Sequence, residues 1–161
     1  MTMKKFLKVD EWNIIEEGFH ADNLRASESI FSLGNGRFGQ RGNFEESYSS
    51  DSLQGSYVAG ITFLDRTRVG WWKNGYPRFF SRIPNTPDWS GIYVRLIDEE
   101  LDLAHWDVES YERRLDMKAG ISYRDFRVTS PKGNTLEVHV EHINSMDNQN
   151  LCLIKYSVTS V

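Results

Sequence analysis

Six consecutive residues, Gly34-Asn35-Gly36-Arg37-Phe38-Gly39, carry the glycine spacing of a loop that binds dinucleotides. In such a loop, backbone N–H groups and the N-terminus of a helix hold a pyrophosphate, so a strand must precede the loop and a helix must open at its last glycine. Here Gln40-Arg41-Gly42-Asn43 follows, without apolar periodicity, and no alternation of strands and helices surrounds it. The spacing predicts a tight glycine-rich turn between strands, and no cofactor-binding residue is assigned.

Glu137, His139 and Glu141 are spaced as if to present metal ligands on one face of a strand. Residues two apart on a strand lie roughly 6.5 Å from one another, too far for three of them to chelate one ion unaided. The expectation is a solvated outer face, with His142 on the opposite face and with His20 and His105 lacking partners at ligand spacing, so no metal site is assigned. Glycosidic chemistry needs a proton donor and a base or nucleophile at set separations. Glu45-Glu46, Asp98-Glu99-Glu100 and Asp116 supply carboxylates, but adjacent side chains on an extended chain point in opposite directions. Surface solvation or hydrogen bonding beside the glycine-rich turn accounts for them, and no catalytic residue is assigned. Cys152 sits within the apolar run Leu151 to Ile154, where a small core residue is expected and an internal disulfide is impossible.

Trp71-Trp72, with Tyr76, Phe79, Phe80 and Trp89 nearby, can serve in two ways. Exposed rings stack on sugar faces, and they also anchor interfaces between domains. The interface is the favoured reading.

These residues must be positioned by strands, whose patterns dominate the chain. Ser29 to Leu33, Ser56 to Leu64, Ile92 to Ile97, Leu101 to Leu103, Ile121 to Thr129, Thr135 to Ile143 and Leu151 to Thr159 read as extended. Within Thr135 to Ile143, Leu136, Val138 and Val140 share one face and Glu137, His139 and Glu141 the other. In Ile121 to Thr129, Ile121 and Tyr123 differ in parity from Phe126 and Val128, which predicts a bulge between Arg124 and Asp125. Lys132-Gly133-Asn134 and Asp98-Glu99-Glu100 read as hairpin connections, making neighbouring strands antiparallel. Helical signals are weak and confined to Asp10 to Glu17 and Asp22 to Glu28. Arg66 to Trp89 reads as one long irregular excursion of the kind that is functional or packs on a partner. The strand ending at Val161 presents an uncovered edge, from which a longer natural polypeptide is expected.

Composition bounds what this scaffold can do. At 161 residues the chain suffices for one domain that buries roughly 70% of its unfolded surface. The net charge of −4 and pI near 5.6 offer no field for nucleic acid or anionic lipid. No apolar run approaches the roughly 20 residues of a membrane span, nor is there a run of signal-peptide length, so a cytoplasmic location is expected.

Four segments, taken in order, are familiar together: Phe31 to Gly36, Gly39 to Glu46 (GQRGNFEE), Gly55 to Gly60 and Arg114 to Gly120. They resemble the N-terminal domain of glycoside hydrolase family 65, and Gly70 to Pro77 looks most like the maltose phosphorylase type within it. The resemblance covers about Trp12 to the C-terminus. It implies a mainly β fold, an antiparallel β-supersandwich of the galactose mutarotase-like kind, here incomplete. It also implies a partner, the catalytic (α/α)6 barrel, which carries the general-acid glutamate and phosphate-binding residues and which no segment of this chain resembles. The parent reaction so implied is inverting phosphorolysis of an α-glucosyl disaccharide such as maltose, giving β-glucose 1-phosphate and glucose. Inorganic phosphate is then the co-substrate, with no metal or organic cofactor. The domain would support the barrel and contribute to homodimer contacts. Arg37, Arg41, Glu45 and Glu46 are expected at or near a barrel-facing surface, because charge gathers there beside the turn. Two other classes stay open: a carbohydrate-binding module acting through Trp71 or Trp72, and a self-associating interaction domain.

Overall fold

The computed structural model describes residues 6–68 and 75–161. Its first hairpin joins β1 (Leu7–Val9) to β2 (Asn13–Glu17). Asp10 forms the turn, its Oδ1 accepting the N–H groups of Trp12 at 2.9 Å and Asn13 at 2.7 Å. The helix expected over Asp10 to Glu17 is therefore a turn and a strand. The side-chain chemistry that caps a helix also makes an Asx turn, and pairing of β2 with a strand about a hundred residues away decides between them.

Gly18, at φ +82°, releases the chain from the sheet. A 3₁₀ turn (Ala21–Asn23) leads into α1 (Leu24–Ile30), which takes the first two residues, Ser29 and Ile30, of the strand expected at Ser29 to Leu33. Beyond it, β3 (Leu33–Gly34), β4 (Phe38–Gln40) and β5 (Ser56–Val58) form a small antiparallel sheet. The expected strand Ser56 to Leu64 is interrupted around Gly60, φ +82°, between the end of β5 at Val58 and the next strand at Phe63. That strand, β6 (Phe63–Arg66), pairs with β7 (Phe79–Arg82) as an isolated hairpin, and β8 (Arg95–Leu96) pairs with β9 (Glu99–Glu100) as another. Leu101 to Leu103, expected as a strand, forms no named strand, although Leu101 and Leu103 are buried in the core.

The chain then builds the rest of its main sheet from β10 (Asp107–Asp116), β11 (Ile121–Thr129), β12 (Thr135–Asn144) and β13 (Cys152–Ser160). The order β1-β2-β10-β11-β12-β13 is antiparallel throughout. The Lys132-Gly133-Asn134 connection between β11 and β12 is as expected, with Gly133 at φ +87°. One face of the sheet, carrying Tyr111, Phe126, Val128, Leu136, Val138 and Val140, packs on Leu24, Phe44, Leu101, Leu103 and Trp106 from the long connection between β2 and β10. The long connection between β2 and β10 is thus the second layer of the protein.

The bulge expected between Arg124 and Asp125 is absent. Pairing of β11 with β12 runs without a shift, and the irregularity lies in β10 between Val108 and Ser110. Arg124 is buried and shares the inward parity of Phe126 and Val128, so a charged side chain in the core produced the apparent phase change.

The turn between β8 and β9 is Ile97-Asp98, one residue earlier than expected. Ile97 sits at φ +60° with its side chain 81% exposed. A β-branched residue is strained there, whereas Asn tolerates the region. Replacing Ile97 by Asn is expected to stabilise the chain by about 1 kcal/mol, read as a rise in the urea midpoint at unchanged slope.

Candidate functional site

The inner face of the main sheet carries a charged cluster within its apolar core. Arg124 Nη2 donates to Glu45 Oε2 at 2.5 Å and to Glu46 Oε2 at 2.6 Å, and its Nη1 donates to Glu46 Oε1. The guanidinium lies between the rings of Phe44 and Phe126, 4.9 and 4.8 Å from their centroids. Tyr156 donates its hydroxyl hydrogen to Glu46 Oε2 at 3.2 Å, and His142 Nδ1 stands 3.4 Å from Glu45 Oε1. A buried charge is tolerated only when paired and hydrogen-bonded. Both carboxylates meet that condition through one planar donor fork.

The cluster is delivered by the segment GQRGNFEE, and each of its residues has a packing or bonding task. Gln40 donates to Ser90 Oγ at 2.7 Å, and Arg41 donates to the carbonyls of Leu53 at 2.7 Å and Arg25 at 2.9 Å. Gly42 passes so close to Phe31 that a Cβ would stand 2.9 Å from its carbonyl oxygen. Its own carbonyl accepts from Arg113 Nη1 at 2.8 Å. Asn43 donates to Glu28 Oε1 at 2.9 Å, while Glu28 Oε2 accepts the Leu53 N–H at 2.9 Å. Arg113 lies over Phe31, Phe44 and Tyr111 at 5.1 to 5.7 Å from their centroids. Among these residues, sequence reasoning had not singled out Gln40, Asn43, Glu28, Arg113 or Arg124. The parity break at Arg124 was the available signal.

Of the six residues expected to make interface or sugar contacts, Arg37 is exposed beside the turn of β3 and β4. Arg41 is largely buried, 3.6 Å from Glu28 Oε2. Glu45 and Glu46 are buried inside the domain against Arg124. Trp71 and Trp72 lie outside the described residues. The Gly34 to Gly39 loop is the tight turn expected. Asn35 Oδ1 accepts the N–H groups of Arg37 and Phe38 at 3.1 and 2.8 Å, and Gly36 adopts φ +84°.

The cluster's electrostatics oppose acid catalysis. Burial alone would push the Glu45 carboxyl up, but the Arg124 guanidinium and the His142 imidazole outweigh it and hold the group down at about 2, against 4.5. A glycosidic proton donor needs the reverse. The cavity beside it has a volume of about 20 Å³, the size of one water and far below a sugar.

Two other groupings bring polar side chains together without a catalytic arrangement. Ser49 Oγ and His105 Nε2 lie 3.0 Å apart and Asp102 is near, but Asp102 Oδ2 faces the same Nε2 at 4.0 Å. A relay requires the carboxylate on the other ring nitrogen. On the outer face, His139 bonds Asp125 at 2.6 Å and Glu141 at 3.1 Å, and both bonds raise its pKa. Lys155 bonds Glu141, and Arg127 bonds Glu137. Among the described residues, no group of three or more His, Cys, Asp or Glu side chains could hold a metal ion. Burial raises the pKa of the half-buried Cys152 thiol, contrary to what a nucleophile requires.

Two outcomes follow for stability. Arg124→Met takes the guanidinium from two buried carboxylates and is expected to destabilise the chain by about 3 to 5 kcal/mol at neutral pH, read by urea denaturation. Because the folded pKa of Glu45 is depressed, its contribution is complete above about pH 4.5 and is lost as pH falls towards about 2. The loss amounts to about 3 kcal/mol, and Glu45→Gln should remove that part of the pH dependence.

Comparison with known proteins matches residues 14–161 to the family described as "Glycosyl hydrolase family 65, N-terminal domain". The chain is 42% identical over 156 residues to the maltose phosphorylase of Bacillus subtilis (strain 168), covering 97% of this chain and 20% of that protein. It is 33% identical to the alpha,alpha-trehalose phosphorylase of Thermoanaerobacter brockii, covering 99% and 21% respectively. A solved structure titled "Putative kojibiose phosphorylase from human microbiome" superposes with a TM-score of 0.87 at 29% identity, over 96% of this chain and 20% of that one. The chain thus spans about a fifth of the length of the relatives it matches. With its antiparallel sheets in the arrangement of that structure and its family match running from the second strand to the last, the chain belongs to glycosyl hydrolase family 65, as its N-terminal domain.

Proposed function

We propose that this chain is the non-catalytic N-terminal β-sandwich domain of an inverting disaccharide phosphorylase, which supports a catalytic (α/α)6 barrel and contributes to homodimer contacts. The parent enzyme cleaves an α-glucosyl disaccharide such as maltose. Phosphate oxygen bonds to the anomeric carbon as the glycosidic C–O bond breaks, and a glutamate of the barrel protonates the departing sugar oxygen. The products are β-glucose 1-phosphate and glucose. Inorganic phosphate is the co-substrate, the reaction needs no metal or organic cofactor, and it proceeds in the cytoplasm.

The observation that carries this reading is the match to phosphorylases over a fifth of their length. It agrees with a core in which Glu45 and Glu46 are both paired with Arg124. Among the described residues, most of the large apolar side chains left exposed fall between Leu53 and Ile97. Leu64 and Phe79 lie on one face of the β6–β7 hairpin, by the register Leu64↔Ser81 and Arg66↔Phe79. Leu64 is 74% exposed. A lone two-stranded hairpin is marginal in water, so packing on the barrel would stabilise it.

Incubated with maltose and phosphate, the chain alone is expected to release no β-glucose 1-phosphate, and coupled detection of that product checks this. Turnover by the chain alone would contradict the proposal. In the enzyme containing the barrel, Leu64→Ser with Phe79→Ser is expected to weaken docking by about 1 to 2 kcal/mol per residue and to lower activity. Unchanged activity and melting would count against this face as the contact.

A further inference from the structure

The cavity beside Glu45 is lined by Gln40, Asn43, Arg113, Ser122, Arg124 and His142 among its polar residues. Two of these lining residues each have a buried atom with no hydrogen-bond partner among the described residues, Gln40 Oε1 and His142 Nε2. Both residues are 7% exposed, so groups approaching from outside do not reach these atoms. A buried acceptor or donor left unmade is expensive, and native proteins satisfy it with protein groups or ordered water. The volume of about 20 Å³ is enough to hold a water.

We infer that this cavity is the binding site of one resident water molecule, which bridges Gln40 Oε1 on β4 to His142 Nε2 on β12. Gln40 Nε2 is committed to Ser90 Oγ at 2.7 Å, which fixes Oε1 as the free acceptor. His142 Nδ1 faces Glu45 Oε1 at 3.4 Å, which leaves Nε2 for the water. Water serves this nitrogen in either state, donating to a bare ring nitrogen or accepting from an N–H. Its second hydrogen goes to Gln40 Oε1. The Ser122 hydroxyl and the Arg113 guanidinium, in the same lining, are the donors available to its lone pairs. The water extends the Glu45 and Arg124 cluster by one link, from the main sheet to the β3–β4–β5 sheet.

The test is a crystal structure of the unmodified chain, at a resolution that shows ordered solvent, together with one of Gln40→Met. The expected result is a water within about 2.6 to 3.2 Å of both atoms in the first, and its loss in the second. No peak in the cavity, a peak touching neither atom, or Gln40 turned onto His142 directly would overturn the inference. If Gln40→Met fails to fold, water-selective nuclear Overhauser spectroscopy on the unmodified chain decides. A slow-tumbling cross-peak from water to the His142 ring protons supports the site, and its absence rejects it.

Discussion

One guanidinium holds the two layers together. Arg124 projects from the third-last strand of the main sheet into the core, where its only acceptable state is ionised and fully paired. Burial would lower its pKa, but Glu46 and Glu45 raise it well above the ordinary value. Those carboxylates arrive on the irregular layer, at the end of the segment GQRGNFEE. The connection between β2 and β10 must therefore fold back over the sheet at one register, or the charges of this cluster go unpaired.

Around that requirement the rest of the segment becomes intelligible. Phe44 is stacked against both Arg113 and Arg124, so the same aromatic ring covers two buried cations. Gly42 lets the backbone touch Phe31, and its carbonyl takes a hydrogen bond from Arg113. Arg41 and Asn43 reach carbonyls and the Glu28 carboxylate on α1 and the loop after Asp51. An extended stretch with little regular pairing is thus fastened by side chains instead of by a strand ladder. The acidic residues of the motif, Glu45 and Glu46, are engaged in the domain's own interior.

The strands β11, β12 and β13 are legible in the sequence, whereas β2, β10 and the irregular layer are not, for identifiable reasons. β12 alternates cleanly because its inner face is aliphatic up to Val140, and β13 follows the same rule. β10 was missed because its inward positions include Arg113 and its outward ones are charged, so no apolar alternation survives. Arg124 imitated a bulge for the same reason. Asp10 reads as a helix cap, and pairing of β2 with a distant strand makes it a turn instead. Glu45 and Glu46 were read as surface charge, because adjacency in the chain does not reveal that two carboxylates converge on one guanidinium. Motif resemblance found the right segment, while its role as an internal strut required coordinates.

The account is tested most directly by a double-mutant cycle between Arg124→Met and Glu46→Gln, measured by urea denaturation at neutral pH. Two partners in one buried pair are expected to show a coupling energy of about 2 kcal/mol or more. Additivity within about 0.5 kcal/mol would mean that Arg124 and Glu46 do not fasten the layers, and the account would fail.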